Sequence, residues 1–278
     1  MNDEILIIIR HKFGRKRLLK RAISSVDNQT YKNIRVVVLR MNFDEDNLKY
    51  NEFLDTIIEK KTQVISKDEL ESYLINSQSK FMCFLDDDDS WAPEFLSRLI
   101  GLLTKTSEKY PSVRAIASHT NKVREVSEGN RIIINETQPW NHYLSVGPVE
   151  FDVIYYKNSI PLSSCIFFKE TAQEIISNHS VDSPALSWPF ILDFISKHDL
   201  WVVPEALSFY HFREENDFEF GNYSVISSEE SDIEYKVKIN SMMRRENKNS
   251  LLNAILDKLL NKTKFHRIAS ITNKIDRV

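Results

Sequence analysis

Four consecutive aspartates, Asp86 to Asp89, are the densest group of chemistry-bearing side chains in this sequence. Like charges a few ångströms apart repel, so such a run is costly unless positive charge sits among it. Hard carboxylate oxygens suit Mg2+ or Mn2+, and these ions commonly bridge one or two carboxylates to a substrate's phosphates. A diphosphate leaving group needs that kind of charge compensation. The plainer alternative is a solvated acidic turn that caps the helix after Trp91. The flanking residues favour a site. Lys80 to Leu85 is apolar and reads as a buried strand, and Trp91-Ala92-Pro93-Glu94-Phe95-Leu96 leads into a helix. Carboxylates at the carboxyl end of a buried strand stand where open α/β sheets bind ligands.

The elements that must position them alternate along the chain. Ile5 to Ile9 is a β-branched run without alternation, as in a strand buried on both faces. A basic loop, Arg10 to Arg17, follows. Leu18, Leu19, Ala22, Ile23 and Val26 then recur at helical spacing from Arg17 to Asn28. Ile34 to Leu39 is a second buried strand, which completes a βαβ unit. A helix is expected over Glu52–Lys60, a short strand over Gln63–Ile65 and a helix over Asp68–Ser77. Beyond the aspartates, Pro93 should open a helix over Glu94–Thr104. Strands are expected at Val113–Ser118, Arg131–Ile134, Cys165–Phe168 and Trp201–Val203, with helices at Ala172–Ser177 and Phe190–Lys197. The fold class is α/β: a mainly parallel sheet flanked by helices, with a helical C-terminal extension.

Bulk properties bound the rest. At 278 residues, 42% hydrophobic and 28% charged, the chain suits one α/β domain over residues 1–225 and an extension over 226–278. A net charge of -3 excludes a general polyanion binder, so no nucleic acid partner is expected. Cys83 and Cys165 are too few for a disulfide scaffold and fit a reducing compartment, although the two could pair. The run Ile5–Ile9 is too short for a signal sequence or a membrane span, which points to the cytoplasm.

Three segments carry a resemblance. Phe84-Leu85-Asp86-Asp87-Asp88-Asp89-Ser90-Trp91-Ala92-Pro93-Glu94-Phe95-Leu96 resembles the DxD segment of family 2 glycosyltransferases of GT-A fold. The segment from Leu18 to Ile34, which contains Arg21-Ala22-Ile23-Ser24-Ser25-Val26 and Gln29-Thr30-Tyr31, is similar to that family's first helix and turn. Val202 to Arg213, with Pro204-Glu205-Ala206-Leu207 and Tyr210-His211-Phe212-Arg213, resembles its late segment. The resemblance covers residues 5 to about 225. It implies a nucleotide-diphospho-sugar donor, Mn2+ or Mg2+, and a glycan or lipid-linked acceptor, as in bacterial surface-polysaccharide assembly. Asp86 and Asp88 match the DxD carboxylates, with Asp87 on the ribose or the metal. Arg10 matches a contact to the base. His211 matches a position that approaches the diphosphate or the metal, its plainer role being packing. Arg40 and Lys67 are further candidates for the nucleotide.

The sequence also departs from the family. Leu39-Arg40-Met41 stands where an Asp usually contacts the nucleobase, with Asp44 and Asp46 arriving late, and Glu71 falls near a usual Asn. An inverting transferase needs a carboxylate to take the acceptor hydroxyl's proton. Ser187 falls at that position, and a serine is no general base at neutral pH. Asp182 and Asp193 are the nearest carboxylates, Asp182 the easier to reach, with a loop or cap role as its plainer reading. Two functions stay open: an active, inverting, metal-dependent transferase, or a degenerate relative that binds a sugar nucleotide, a glycan or a partner enzyme without turnover. A nucleotidyltransferase fits less well, because its Gly-rich first loop is missing. Trp140, His142, Tyr143, Tyr155 and Tyr156 could stack on acceptor sugars or simply pack.

From Arg244 to Val278 nine Lys and Arg face three acids, a balance of +6, and Leu251, Leu252, Ile255, Leu259 and Leu260 fall at helical spacing. A basic amphipathic helix can lie on an anionic membrane. That would place the protein peripherally at the inner face of the plasma membrane. Alternatively the apolar stripe docks on the catalytic domain or on a second subunit of a homo-oligomer.

Overall fold

The computed structural model describes residues 3–12, 14–41, 62–128, 131–156, 158–181, 183, 186–213 and 221. The expected helix at 52–60, Asp44, Asp46, Asp182 and the whole C-terminal extension, including 244–278, lie outside the described residues.

β1 (Ile5–His11) forms because five consecutive aliphatic residues can be buried on both faces, and Ile5 to Ile9 are all fully buried. α1 (Lys16–Asp27) buries Leu18, Leu19, Ala22 and Val26 on one face. β2 (Ile34–Arg40) returns parallel to β1, which closes the βαβ unit. β3 (Gln63–Ile65) adds to the outer edge of β2. α2 (Lys67–Asn76) opens on a capping box between Ser66 and Glu69. β4 (Phe81–Asp86) lies parallel to β1 on its other side, so the aspartates start at the carboxyl end of a central strand.

The remaining elements complete a mixed sheet. β5 (Ser90–Trp91) is followed by α3 (Phe95–Lys109), which buries Phe95, Leu96, Leu99, Ile100 and Leu103. β6 (Val113–Glu128) and β7 (Arg131–Pro139) make a long hairpin. β8 (Gly147–Pro148), α4 (Phe151–Tyr156), a 3-10 turn at Leu162–Ser164, β9 (Cys165–Phe168) and α5 (Lys169–Ile176) follow. α6 (Ser187–Lys197) and β10 (Asp199–Phe212) end the described fold. The strand order is β3-β2-β1-β4-β9-β6-β10-β5, with β7 on β6 and β8 on β10. β1, β2, β3, β4, β6 and β10 share one direction, and β5, β7, β8 and β9 run against it. Cys83 and Cys165 are free and buried. Among the described residues no helix is long and apolar enough to cross a membrane.

Two strands outrun their sequence signal furthest. β6 was expected to stop at Ser118 because His119 to Lys122 are polar, yet it continues to Glu128 between β10 and β7. β10 was expected only over Trp201–Val203, because Pro204 cannot donate to a ladder. The chain accommodates Pro204 with register shifts against β6 between Val203 and Ala206 and between Ala206 and Ser208, then resumes pairing to Phe212. That extension carries His211 to the aspartate turn.

The segment after α1 acts as a clamp. Gln29 is fully buried. Its amide nitrogen donates to Ser25 O at 3.0 Å and Ala92 O at 2.8 Å, and its oxygen accepts from Leu96 N at 3.0 Å. Thr30 N donates to Pro93 O at 2.8 Å. Trp91 stacks on Phe95 with ring centroids 4.5 Å apart and donates from its indole to Ser163 O at 2.6 Å. The Gln-Thr pair thus ties α1 to the start of α3 and fixes the exit of the aspartate turn. Replacing Gln29 with Ala strands the buried Leu96 N–H and removes two donations to half-buried carbonyls, of which Ala92 O keeps Phe95 N at 3.0 Å. We expect a loss of about 2–4 kcal/mol in unfolding free energy, measured by urea denaturation of the wild type and Gln29→Ala.

Candidate functional site

Arg10 and Asp86 are register partners at the ends of β1 and β4. The ladder runs one step further, with Asp87 N donating to Arg10 O at 3.1 Å. Asp89 N then donates to Asp86 O at 3.0 Å and closes a turn. The four carboxylates fan out from this turn, and each meets its own set of donors.

Asp86 takes Arg10 Nε on Oδ1 at 2.6 Å. Asp87 Oδ2 lies 2.8 Å from His11 Nδ1 and accepts from Lys12 N at 3.0 Å, while its Oδ1 accepts from Arg15 Nη1 at 2.7 Å. Asp88 Oδ2 accepts from Arg15 Nη2 at 2.6 Å and from Arg213 Nη2 at 2.7 Å. Asp89 accepts from Ser163 Oγ at 2.6 Å and from His211 N at 3.3 Å. Arg15 can serve two aspartates because it occupies the N-cap position of α1, directly after Gly14, whose φ of 87° is open to glycine at little cost.

A second layer backs the first. Glu125, buried on β6, accepts from Arg213 Nη1 at 2.6 Å and Arg21 Nη1 at 2.5 Å, and lies 2.7 Å from His211 Nδ1. Arg21 Nη2 also donates to Asp88 O at 2.5 Å. Burial alone would raise the Glu125 pKa, but His211, Arg21 and Arg213 hold it at about 2. Burial works against the Asp88 charge as well, yet Arg15 and Arg213 keep its carboxyl well below the usual range. Asp89 has no guanidinium; burial and the charges of Asp88 and Asp86 push its pKa up. Burial also raises Asp86, helped by Asp88 and Asp87 and opposed by Arg10. Burial lowers His211, so its ring stays neutral near pH 7.

The remaining predicted residues are spread around this turn. Arg40 ends β2 in register with His11, and its charge reaches Glu69 at the start of α2. Lys67, the first residue of α2, donates to Ser180 Oγ at 2.8 Å. It borders a cleft of about 540 Å3 between α2 and α5 that Glu71, Glu170 and Glu174 also line. Three acids make that cleft unsuited to a diphosphate. Ser187, in the position of the expected base, spends its hydroxyl on the backbone: it donates to Ile160 O at 3.1 Å and accepts from Leu162 N at 3.0 Å. Asp193 is buried on α6, where its Oδ2 lies 3.1 Å from His179 Nε2 and 3.4 Å from Asn178 Nδ2. Burial opposes its charge, but His179, Lys197 and Asn178 hold its pKa down. Its carboxylate anchors the turn at Asn178–His179. The same connection reaches the aspartates further on, where Ser183 O accepts from Arg10 Nη1 at 3.1 Å. Asp182 is the neighbour of that residue in sequence.

The sequence reading missed Arg15, Arg21, Arg213, His11 and Glu125 as site residues. The basic loop Arg10–Arg17 was the available signal for Arg15: four adjacent carboxylates at a buried strand end demand nearby cations. Glu125 left no signal, since it lies in a stretch with no motif.

A divalent cation needs open lone pairs, and few remain. Both oxygens of Asp87 and both of Asp89 are engaged. Asp88 already holds two guanidinium groups on one oxygen. His211 has both ring nitrogens in contact, Nε2 with Ser90 Oγ at 2.8 Å and Nδ1 with Glu125. Among the described residues no three His, Cys, Asp or Glu side chains converge on a cation position. Asp88, already compensated by two guanidinium groups, and His211, bonded on both ring nitrogens, do not fit as ligands of Mn2+ or Mg2+. Asp86 is the most open of the paired aspartates, its side chain 35% exposed against 2% for Asp87 and 12% for Asp88.

No protein-family model and no curated protein matches the sequence. Solved structures do match. The structure of S. aureus TarS 1-349 in complex with UDP-GlcNAc is similar with a TM-score of 0.52 and 13% identity, over 77% of this chain and 60% of that one. Mannosyltransferase PcManGT from Pyrobaculum calidifontis, in complex with GDP-Man and Mn2+, is similar with a TM-score of 0.50 and 12% identity, over 78% of this chain and 59% of that one. The chain thus spans about three fifths of the length of each. The likeness is one of fold: the sheet and its flanking helices are those of the glycosyltransferase GT-A type.

Glu125 gives this site a pH signature. Its folded pKa of about 2 lies below its ordinary 4.5. The stabilisation it supplies is therefore complete above pH 4.5 and is lost as pH falls from there toward 2. Glu125→Gln removes the partner of a buried Arg213 and should cost about 3 kcal/mol at pH 7. The gap to wild type should shrink between pH 5 and pH 3, read from urea midpoints across that range. A gap that stays constant down to pH 3 would contradict an ionised Glu125 in the folded state.

Proposed function

We propose that this protein binds a nucleotide-diphospho-sugar at the Asp86–Asp89 end of the sheet and transfers the sugar to a glycan or lipid-linked acceptor, with inversion at the anomeric carbon. The observation that carries the reading is a GT-A fold in which Asp86, the most open aspartate of the turn, stands beside Arg10 at the carboxyl ends of β1 and β4. Open α/β sheets bind ligands at that edge. The similar proteins described above were solved with UDP-GlcNAc and with GDP-Man.

In the proposed reaction the acceptor hydroxyl oxygen attacks the sugar C1, the bond from C1 to the diphosphate oxygen breaks, and the hydroxyl proton passes to a carboxylate. Ser187 cannot take that proton, and Asp193 is committed to His179 and Asn178. Asp182 is the proposed base, because the adjacent Ser183 backbone contacts Arg10 beside Asp86. Asp193 becomes a positioning residue for the connection that carries Asp182. Trp140 stacks on Tyr210 with centroids 5.3 Å apart, one residue before His211, and Tyr143 is 55% exposed nearby in sequence. These aromatic faces are the proposed acceptor side.

The Ser187 arrangement favours a second reading, in which the fold binds a sugar nucleotide without turnover. Transfer assays with UDP-GlcNAc and GDP-Man decide between them. Asp86→Asn, which weakens a carboxylate acceptor for the nucleotide's ribose hydroxyls, should lower nucleotide binding about ten-fold, equivalent to about 1.4 kcal/mol. Asp182→Asn should keep binding and lower transfer about 100-fold, within the range of a lost general base. Binding without transfer for every donor and acceptor pair would favour the second reading, and absence of any nucleotide binding would end both.

A further inference from the structure

Asp88 is one of the two carboxylates that the family resemblance gives to a divalent cation, and it already has a different partner. Arg15, from the loop after β1, and Arg213, just past the end of β10, meet on its Oδ2 at 2.6 and 2.7 Å. Their side chains are only 5% and 0% exposed. Arg213 is gripped from behind by Glu125 Oε2 at 2.6 Å, so it cannot turn away without stranding a buried carboxylate. Arg21 bridges Glu125 and Asp88 O from α1. A cation placed beside Asp88 would face three guanidinium groups as near neighbours, and their repulsion opposes its binding.

The charges of the network are close to matched. Asp86, Asp87, Asp88, Asp89 and Glu125 are faced by Arg10, Arg15, Arg21 and Arg213. Asp89 faces no guanidinium among the described residues and is held instead by Ser163 Oγ and His211 N. The cluster also holds buried donors, the Nε–H groups of Arg15 and Arg21, that find no acceptor among the described residues. Buried donors of that kind are costly unless a ligand completes them.

We infer that Arg15 and Arg213 stand in for the divalent cation: guanidinium groups compensate Asp88, and the chain binds its nucleoside diphosphate without a metal. The second half rests on the donor-binding reading above; the first does not. The test uses the full chain in two measurements. Free Mn2+ is followed by electron paramagnetic resonance as protein is added, alone and with UDP or GDP. UDP and GDP binding is then measured by calorimetry in EDTA and in Mn2+. We expect no loss of the free Mn2+ signal beyond that due to the nucleotide itself. We also expect an affinity for the preferred nucleotide that is the same with and without metal to within about two-fold, or about 0.4 kcal/mol. Stoichiometric Mn2+ uptake that disappears in Asp88→Asn would overturn the inference. So would a ten-fold or greater loss of nucleotide affinity in EDTA. If neither nucleotide binds in either buffer, the donor reading fails, and the Mn2+ titration of the protein alone still decides what compensates Asp88.

Discussion

Four carboxylates in a row at the end of a buried strand must be neutralised where water cannot do it, and much of this fold answers that demand. Each aspartate draws a different part of the chain to the turn. Asp86 takes the end of β1, Asp87 the loop after it, Asp88 the start of α1 and the residue after β10, and Asp89 the 3-10 turn before β9. The length of β6 and β10 follows from the same demand. Glu125 and Arg213 meet only because both strands extend past the residues that a hydrophobic core would require. Buried ion pairs of this kind contribute little net stability over apolar packing, but removing one partner is costly. The network therefore behaves as a constraint on geometry more than as a source of stability.

Core strands and their edges differ in how plainly the sequence announces them. Ile5–Ile9 and Phe81–Leu85 are continuous apolar runs, and only a strand covered on both faces accounts for them. The spacing of α1 was equally clear. The polar half of β6 gave no such signal, because residues beyond Ser118 serve ion pairs and a hairpin instead of a core. Pro204 hid the continuation of β10, since the shifts in register that admit a proline are a property of the partner strand and not of the local sequence.

The candidate site was legible as a place and not as a mechanism of charge balance. A run of Asp next to a strand is visible as such; which cation compensates it depends on residues 70 to 125 positions away, such as Arg15 and Arg213 from Asp88. The two ring contacts of His211, to Ser90 and Glu125, depend on distant residues in the same way and align β10 with the turn. Ser187 spends its hydroxyl on Ile160 O and Leu162 N at the start of α6.

The central claim is that Asp88 and Arg213 act as one buried unit across the turn, and a double-mutant cycle tests it most directly. Unfolding free energies of the wild type, Asp88→Asn, Arg213→Met and the double variant would be measured by urea denaturation at pH 7. A coupling of about 2–3 kcal/mol is expected, with the double variant far less destabilised than the sum of the single ones. Additivity within about 0.5 kcal/mol would contradict it, because independent sites show that behaviour and a shared buried ion pair does not.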